Sequence, residues 1–340
     1  MISKDELPAA PDHSPTKQAT KLPVNLPVKL PIKQLLLVLG MVATTYAAAL
    51  LIWGNSPTDS LARLWSLTGL QAGVLCLLNY LLRGMRWRLW MAHYGRHFGW
   101  LEGLRLYLAG YAFTPTPGNV GEAVRGLMLT RNPLSARHSL AIFGAERLAD
   151  LLCLLLLCLP VVGWLLGHEE VQKAALEVLQ APPRLLVILV VALMVSLIAL
   201  VVLFLQYRAL WRQRLSWLKQ AWHCLAVRPL SWFVLTMTAW AAQGLAVWLI
   251  CKDAGVDVPM LTAMAFYAVA MVAGALSALP AGLGGTEAVL TGLLVIESAA
   301  PAAALTITVL TRLLTLWLAV GIGVMALLYS AAIRKDISFR

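Results

Sequence analysis

Acidic side chains and arginines sit in the oiliest stretches of this chain, and they do so twice at one spacing. Pro117-Gly118-Asn119-Val120-Gly121-Glu122-Ala123-Val124 and Ala281-Gly282-Leu283-Gly284-Gly285-Thr286-Glu287-Ala288-Val289 each carry a glutamate behind a glycine-rich break, 165 residues apart. Each glutamate is followed 25 residues later by an arginine in an apolar run, Arg147 and Arg312, and then by Leu148 and Leu313. The first arginine has two more charges beside it. Glu146 and Asp150 are four apart and share a helix face, and Arg147 stands three before Asp150. A lone Asp, Lys or Arg at the centre of a membrane helix costs about 2.5–3.5 kcal/mol on insertion scales. Arg147 lies eight residues past Ser139, about 12 Å along a helix, too deep to be set aside as snorkelling. Arg312 lies at a comparable depth in its own segment.

Two kinds of chemistry fit. Arg147 and Arg312 can hold an anionic group in a polar cavity, with Glu122, Glu287, Glu146 and Asp150 as counter-ions or proton carriers. Alternatively, Glu122 with Arg147 and Glu287 with Arg312 are structural ion pairs that pin each break to a neighbouring helix. The two are compatible, since a pair opened by an arriving phosphate serves both. The breaks supply a second anion-binding element: the arm after each starts a helix whose free N–H groups and positive dipole end point inward. Gly118, Gly121, Gly282, Gly284 and Gly285 let a head group approach the backbone closely. A plainer role competes for the acids. Asn119 with Glu122 three residues on fits a capping-box variant, and Glu287 beside Thr286 fits a first-turn acid. Arg125 has Leu290 as its counterpart in the second copy, so any role it has is asymmetric.

Other polar residues are read more plainly. Arg83, Arg86 and Arg88, with Trp87 and Trp90, end an apolar segment as an interfacial anchor; the competing role is to gather anionic head groups at a lipid entrance. Asn79 and Gln243 suit interhelical hydrogen bonds. The six histidines lie in the amino-terminal tail or at segment edges, against a His-based metal or catalytic centre. Five scattered cysteines, Cys76, Cys153, Cys158, Cys224 and Cys251, form neither a disulfide framework nor a metal spacing and read as small packing residues.

The elements that must position these residues are membrane helices. Sixty per cent hydrophobic residues, 13% charged residues and a mean hydropathy of +0.77 exclude a soluble domain. The +11 net charge is spread between apolar segments rather than gathered in a patch, which argues for membrane orientation and against nucleic acid. Spanning about 30 Å takes about 20 apolar residues. Six segments qualify: about 35–53, 64–82, 139–166, 184–206, 230–251 and 301–330. The regions 101–130 and 260–297 are apolar but broken by Pro and Gly, and read as re-entrant hairpins whose freed backbone must face protein or water. With both termini cytoplasmic, 21 of the 27 basic residues fall inside. Each half then reads span, span, hairpin, span. Three crossings per half make the halves inverted, with hairpin tips approaching near the bilayer midplane.

The expected fold is thus all-α, a polytopic integral membrane protein of two inverted repeats, each with three spanning helices and one re-entrant helical hairpin. Residues 1–33 form a flexible, Pro-rich cytoplasmic tail, 34–330 the membrane domain (repeat one about 34–167, repeat two about 184–330) and 331–340 a short cytoplasmic tail. The tail has no apolar run suited to a cleavable signal peptide. The stretch from Lys21 to Lys33, with prolines four apart among lysines, reads as a stiff linker or as a strip attracted to anionic lipid.

These motifs together resemble the flippase-like membrane domain of bacterial lysylphosphatidylglycerol synthases. The likeness rests on Arg83 to Arg88, Pro117 to Arg125, Glu146 to Asp150, Leu279 to Glu287 and Thr311 to Leu313, and covers about residues 35–330. It implies a lipid flippase or flippase-like protein of the bacterial plasma membrane, with re-entrant helices around a lipid cavity. The bifunctional synthases continue into a soluble aminoacyl-transferase domain, whereas this sequence stops ten residues after its last span, so lysyl transfer is not expected of it.

The expected function is non-enzymatic translocation of an anionic or zwitterionic phospholipid, or another lipid-linked cargo, between leaflets. The rivals are an integral-membrane enzyme using Glu146 or Asp150 as base, and a lipid-binding scaffold for a membrane glycosyltransferase. No cofactor or metal is expected, and no P-loop pattern is present for ATP. The expected partners are membrane lipids and a separate lipid-modifying enzyme, and the oligomeric state stays open.

Overall fold

The structure is a computed structural model that describes residues 61–126, 134–167, 216–277 and 279–338, together with Thr44. The expected amino-terminal tail and the spans at 35–53, Thr44 apart, and 184–206 lie outside the described residues. Among the described residues the fold is all-helical, with no strand.

Helix α1 (Leu67–His93) starts where the Ser66 hydroxyl accepts the Gly69 N–H at 3.0 Å. It runs eleven residues past the expected end at 82. Nothing between Arg83 and His93 breaks a helix, and the arginines there find buried partners. Hairpin one follows as α2 (Trp100–Ala109), a 3-10 turn (Gly110–Phe113), and a second 3-10 segment (Pro117–Gly126) beyond the break. Helix α3 (Ala136–Leu157), capped by Ser135, leads almost directly into α4 (Leu159–Gly167). A short amphipathic helix, α5 (Ser216–Ala226), packs on α3 and precedes α6 (Pro229–Asp253). Hairpin two is α7 (Met260–Leu276) folded against α8 (Gly285–Ile296). The described chain ends in α9 (Pro301–Arg312), a π turn (Leu313–Trp317) and α10 (Leu318–Ser338). Ala136–Gly167, Pro229–Asp253 and Pro301–Ser330 are long and apolar enough to cross a membrane.

Helices α1 and α6 run antiparallel as the central pair. Arg63 and Ser66 at the start of α1 bond Asp253 at the end of α6, Asn79 donates to the Ala239 carbonyl at 2.8 Å, and Arg86 reaches Thr236 at 3.0 Å. Packing between the halves is reciprocal. Helix α3 of the first half lies on the first arm of hairpin two, and α10 of the second half lies on the first arm of hairpin one. The hairpin roots sit at opposite ends of the stack. Trp100 lies beside Arg88 and Arg105 beside Tyr329, at the end marked by α5. The root of hairpin two lies at the other end, where Glu297 accepts from Trp164 and Met260 follows closely on Asp253. The two tips pack against each other.

Small residues make the close contacts, as expected where helices associate without water to drive them. Ala72, Cys76, Ala145, Ala149, Cys153, Ala263 and Ala268 are fully enclosed, and the cysteines are free, in keeping with a packing role. Gly323 makes one of the tight contacts against backbone. A Cβ there would sit 2.8 Å from the Tyr111 carbonyl carbon and 2.9 Å from the Leu108 oxygen, all rigid backbone. Gly323→Ala is therefore expected to push α10 off hairpin one and lower the melting temperature in detergent. Gly321→Ala, with open space at its Cβ, is the matched control and should not.

Candidate functional site: a closed ring of charge

Three segments bring seven charged side chains together between α1, hairpin one and α3. On α1 the residues Arg83, Arg86, Trp87 and Trp90 share one face at helical spacing, and that face is buried. The Arg86 Nη1 donates to Asp150 at 2.6 Å, and its Nη2 stands 3.7 Å from Glu146. Glu146 accepts from the Arg125 Nη1 at 3.2 Å, and Arg125 in turn grips Glu122. Arg147 closes the circle, 3.5 Å from Glu122 and 3.4 Å from Asp150. Charge thus alternates around a closed loop: Asp150, Arg86, Glu146, Arg125, Glu122, Arg147. Arg83 is attached to it through Asp150 at 2.8 Å.

Neutral groups finish the job. Thr114 donates to Glu122 at 2.9 Å, and the Trp240 indole N–H donates to Asp150 at 3.1 Å. Rings of Tyr107, Trp240 and Trp90 face the guanidinium groups of Arg125, Arg83 and Arg86 at 4.4, 5.2 and 5.3 Å. Each carboxylate therefore has at least two partners. The cations do not fare as well. The Nε of Arg83, Arg86 and Arg125, the Nη2 of Arg86, and the Nε and Nη2 of Arg147 are enclosed and find no hydrogen-bond acceptor among the described residues. Four arginines against three acids leave one positive charge in excess, in a setting where unpaired buried donors are costly. Arg147 alone of the seven has a side chain substantially open, at 32%.

The second copy keeps the expected pair and little more. Arg312 Nε donates to Glu287 at 2.8 Å, and its Nη2 donates to the Ala281 carbonyl at 2.8 Å. Ala281 holds a left-handed φ of 54°, so the guanidinium clamps the bent tip of hairpin two. Glu287 also accepts the Gly284 N–H at 2.7 Å, at a residue whose φ of 84° suits only glycine well. One carboxylate thus serves as both helix cap and ion partner. Gly282 lies within the tip and Gly285 opens α8; a side chain at Gly285 would meet Ser277. Thr286 is buried against Gly274. The π turn follows Arg312 directly, and the Tyr80 hydroxyl donates to the Leu314 carbonyl at 2.8 Å.

Several expectations change on contact with this geometry. Glu122 does not cap Asn119; it turns inward to Thr114, Arg125 and Arg147, because buried cations outcompete a backbone N–H for a carboxylate. Asn119 has a φ of 56° and its N–H bonds the Thr116 carbonyl. Gly118 and Gly121 lie in the 3-10 segment, so the first break is not followed at once by an α-helix as the second is. Arg83 and Arg86 are not interfacial anchors: exposures of 7% and 0% place them inside, drawn in by Asp150. Arg88 stays half-buried at the surface, bonded to the Phe98 carbonyl at 2.9 Å. Arg125 joins the ring, so the asymmetry read from Leu290 corresponds to an apolar, fully buried counterpart. Asn79 and Gln243 make interhelical bonds, the latter accepting from Tyr267 at 3.0 Å. Thr114, Thr236 and Trp240 were not anticipated. The shared face of Arg83, Arg86, Trp87 and Trp90 was the available signal for the first two arginines.

Residues 35–323 match the family described as lysylphosphatidylglycerol synthase TM region. No curated protein matches the chain.

Proposed function

The chain belongs to the lysylphosphatidylglycerol synthase transmembrane-region family, a membrane setting with a lipid-related role, and from that premise we propose that it translocates a phospholipid, anionic or zwitterionic, between leaflets. The observation that carries this reading is the redundancy around Arg147. Its contacts to Glu122 and Asp150, at 3.5 and 3.4 Å, are among the looser in the ring. If it turns away, Glu122 keeps Arg125 and Thr114, and Asp150 keeps Arg83 and Arg86. A lipid phosphate can therefore take Arg147 without stranding a buried acid. A phosphodiester carries one negative charge and offsets the single excess cation of the ring. Leu148, Leu151 and Leu155 continue outward on the same helix at 39–50% exposure, an apolar track for acyl chains.

Two inverted halves fit the same reading. The antiparallel run of α1 against α6, the reciprocal packing and the opposed hairpin roots are what a twofold axis in the membrane plane generates. Arg88, Arg96, Arg105, Arg137, Lys219 and Arg228 belong to the end at the root of hairpin one, against Arg63 and Lys252 at the other end, which also carries Asp253, Asp257 and Glu297. The first is then the cytoplasmic end in a bacterial plasma membrane. Arg312 serves as a clamp on hairpin two rather than as a second ligand.

Vesicles containing the purified full chain and a fluorescent phosphatidylglycerol provide the test. Dithionite should bleach the inner-leaflet lipid faster than in protein-free vesicles. Equal rates would sink the translocation reading, and conversion of the lipid to a new mass would favour an enzyme.

A further inference from the structure

We infer a second lipid site, apart from the charge ring: a groove between α1 and α6 that holds one phospholipid with a net-negative head group, in the leaflet at the arginine-rich end. The groove measures about 640 Å³, within the range of small-molecule sites. Its floor is apolar, from Met85 and Leu89 on α1 and Val234 on α6, and its rim carries Arg88, Arg96 and Ser231. Met85, Arg88, Leu89 and Ala92 recur at helical spacing on a face of α1 distinct from that of Arg83 and Arg86. The groove is therefore separate from the ring and is not its doorway.

Three features select the head group. No carboxylate lines the groove among the described residues, so its charge is one-sided. Ser231 lies in the first turn of α6, a helix of 25 residues, whose positive dipole end favours an anion. Arg88 stacks on Trp100 at 5.3 Å, and partly exposed Trp100 marks head-group depth at the root of hairpin one. An acyl chain along Met85, Leu89 and Val234 then sets its phosphate between Arg88 and the start of α6. A zwitterionic lipid brings a cation into that positive rim and is disfavoured.

Native mass spectrometry of the full chain, delipidated and titrated with phosphatidylglycerol or phosphatidylethanolamine, tests this. Wild type should retain one tightly held phosphatidylglycerol and at least several-fold less phosphatidylethanolamine. Val234→Trp, which fills the groove from an exposed position, and Ser231→Glu, which puts an acid where a helix start tolerates it, should each lower that retention about tenfold, the effect of roughly 1.4 kcal/mol. Melting temperatures should be unchanged for both. Arg147→Ala should keep the lipid, which separates this site from the transport reading, since either can fail alone. Equal retention of the two lipids, wild-type retention by both groove variants, or loss in Arg147→Ala alone would overturn the inference. So would a dimer mass that Val234→Trp abolishes, which would assign the groove to a second copy.

Discussion

Vesicles carrying Arg147→Ala are expected to equilibrate labelled lipid far more slowly than those carrying the wild type. A hydrogen bond between charged groups is worth about 1.5–3 kcal/mol, so losing it from the transport barrier slows passage roughly ten- to hundredfold. The protein should still fold, because the side chain is one-third open and Glu122 and Asp150 retain other donors. Arg147→Lys keeps the charge but not the forked geometry and should recover only part of the rate. Full activity in a well-folded Arg147→Ala protein would remove the ring from the mechanism. The parallel change Arg312→Ala should act differently, loosening the tip of hairpin two and lowering the melting temperature.

Asp150→Ala is expected to cost more stability than any other single change in the ring. Its carboxylate holds Arg83 and Arg86 at 2.8 and 2.6 Å, with Arg147 and Trp240 close by. Removing it leaves two enclosed cations facing each other, and breaking a buried pair costs about 3–5 kcal/mol. The measurement is thermal unfolding in detergent, followed by size exclusion. Adding Arg83→Met to Asp150→Ala should restore part of the loss, because an apolar side chain in place of an unpaired cation is well tolerated in such sites. No recovery in the double variant would mean that Asp150 acts through something other than charge balance.

The sequence made much of this arrangement legible, unevenly. The interval of 25 residues from Glu287 to Arg312 predicts a contact found at 2.8 Å. The same interval from Glu122 to Arg147 leads to a looser one at 3.5 Å, because Arg125, with no charged counterpart in the second copy, takes the better geometry. Periodicity located α3, α6 and both hairpins. It stopped α1 too early at 82, since three arginines in six residues read as a membrane boundary when no partner is in view. Asp150, the partner of Arg83 and Arg86, is more than sixty residues away in sequence, and only the fold brings it alongside. Likewise Trp240 and Thr236, ordinary residues of an apolar helix, become a donor to Asp150 and an acceptor for Arg86 only once α6 lies against α1.

The ring also bears on how the protein is made. Helix α1 carries Arg83, Arg86 and Arg88 with no acid of its own, and α3, synthesised later, carries the acids that neutralise two of them. Neither helix can move singly into hydrocarbon without stranding charge. Biogenesis therefore has to hold α1 in a sheltered position until hairpin one and α3 have emerged from the ribosome, and release the three as one neutralised parcel.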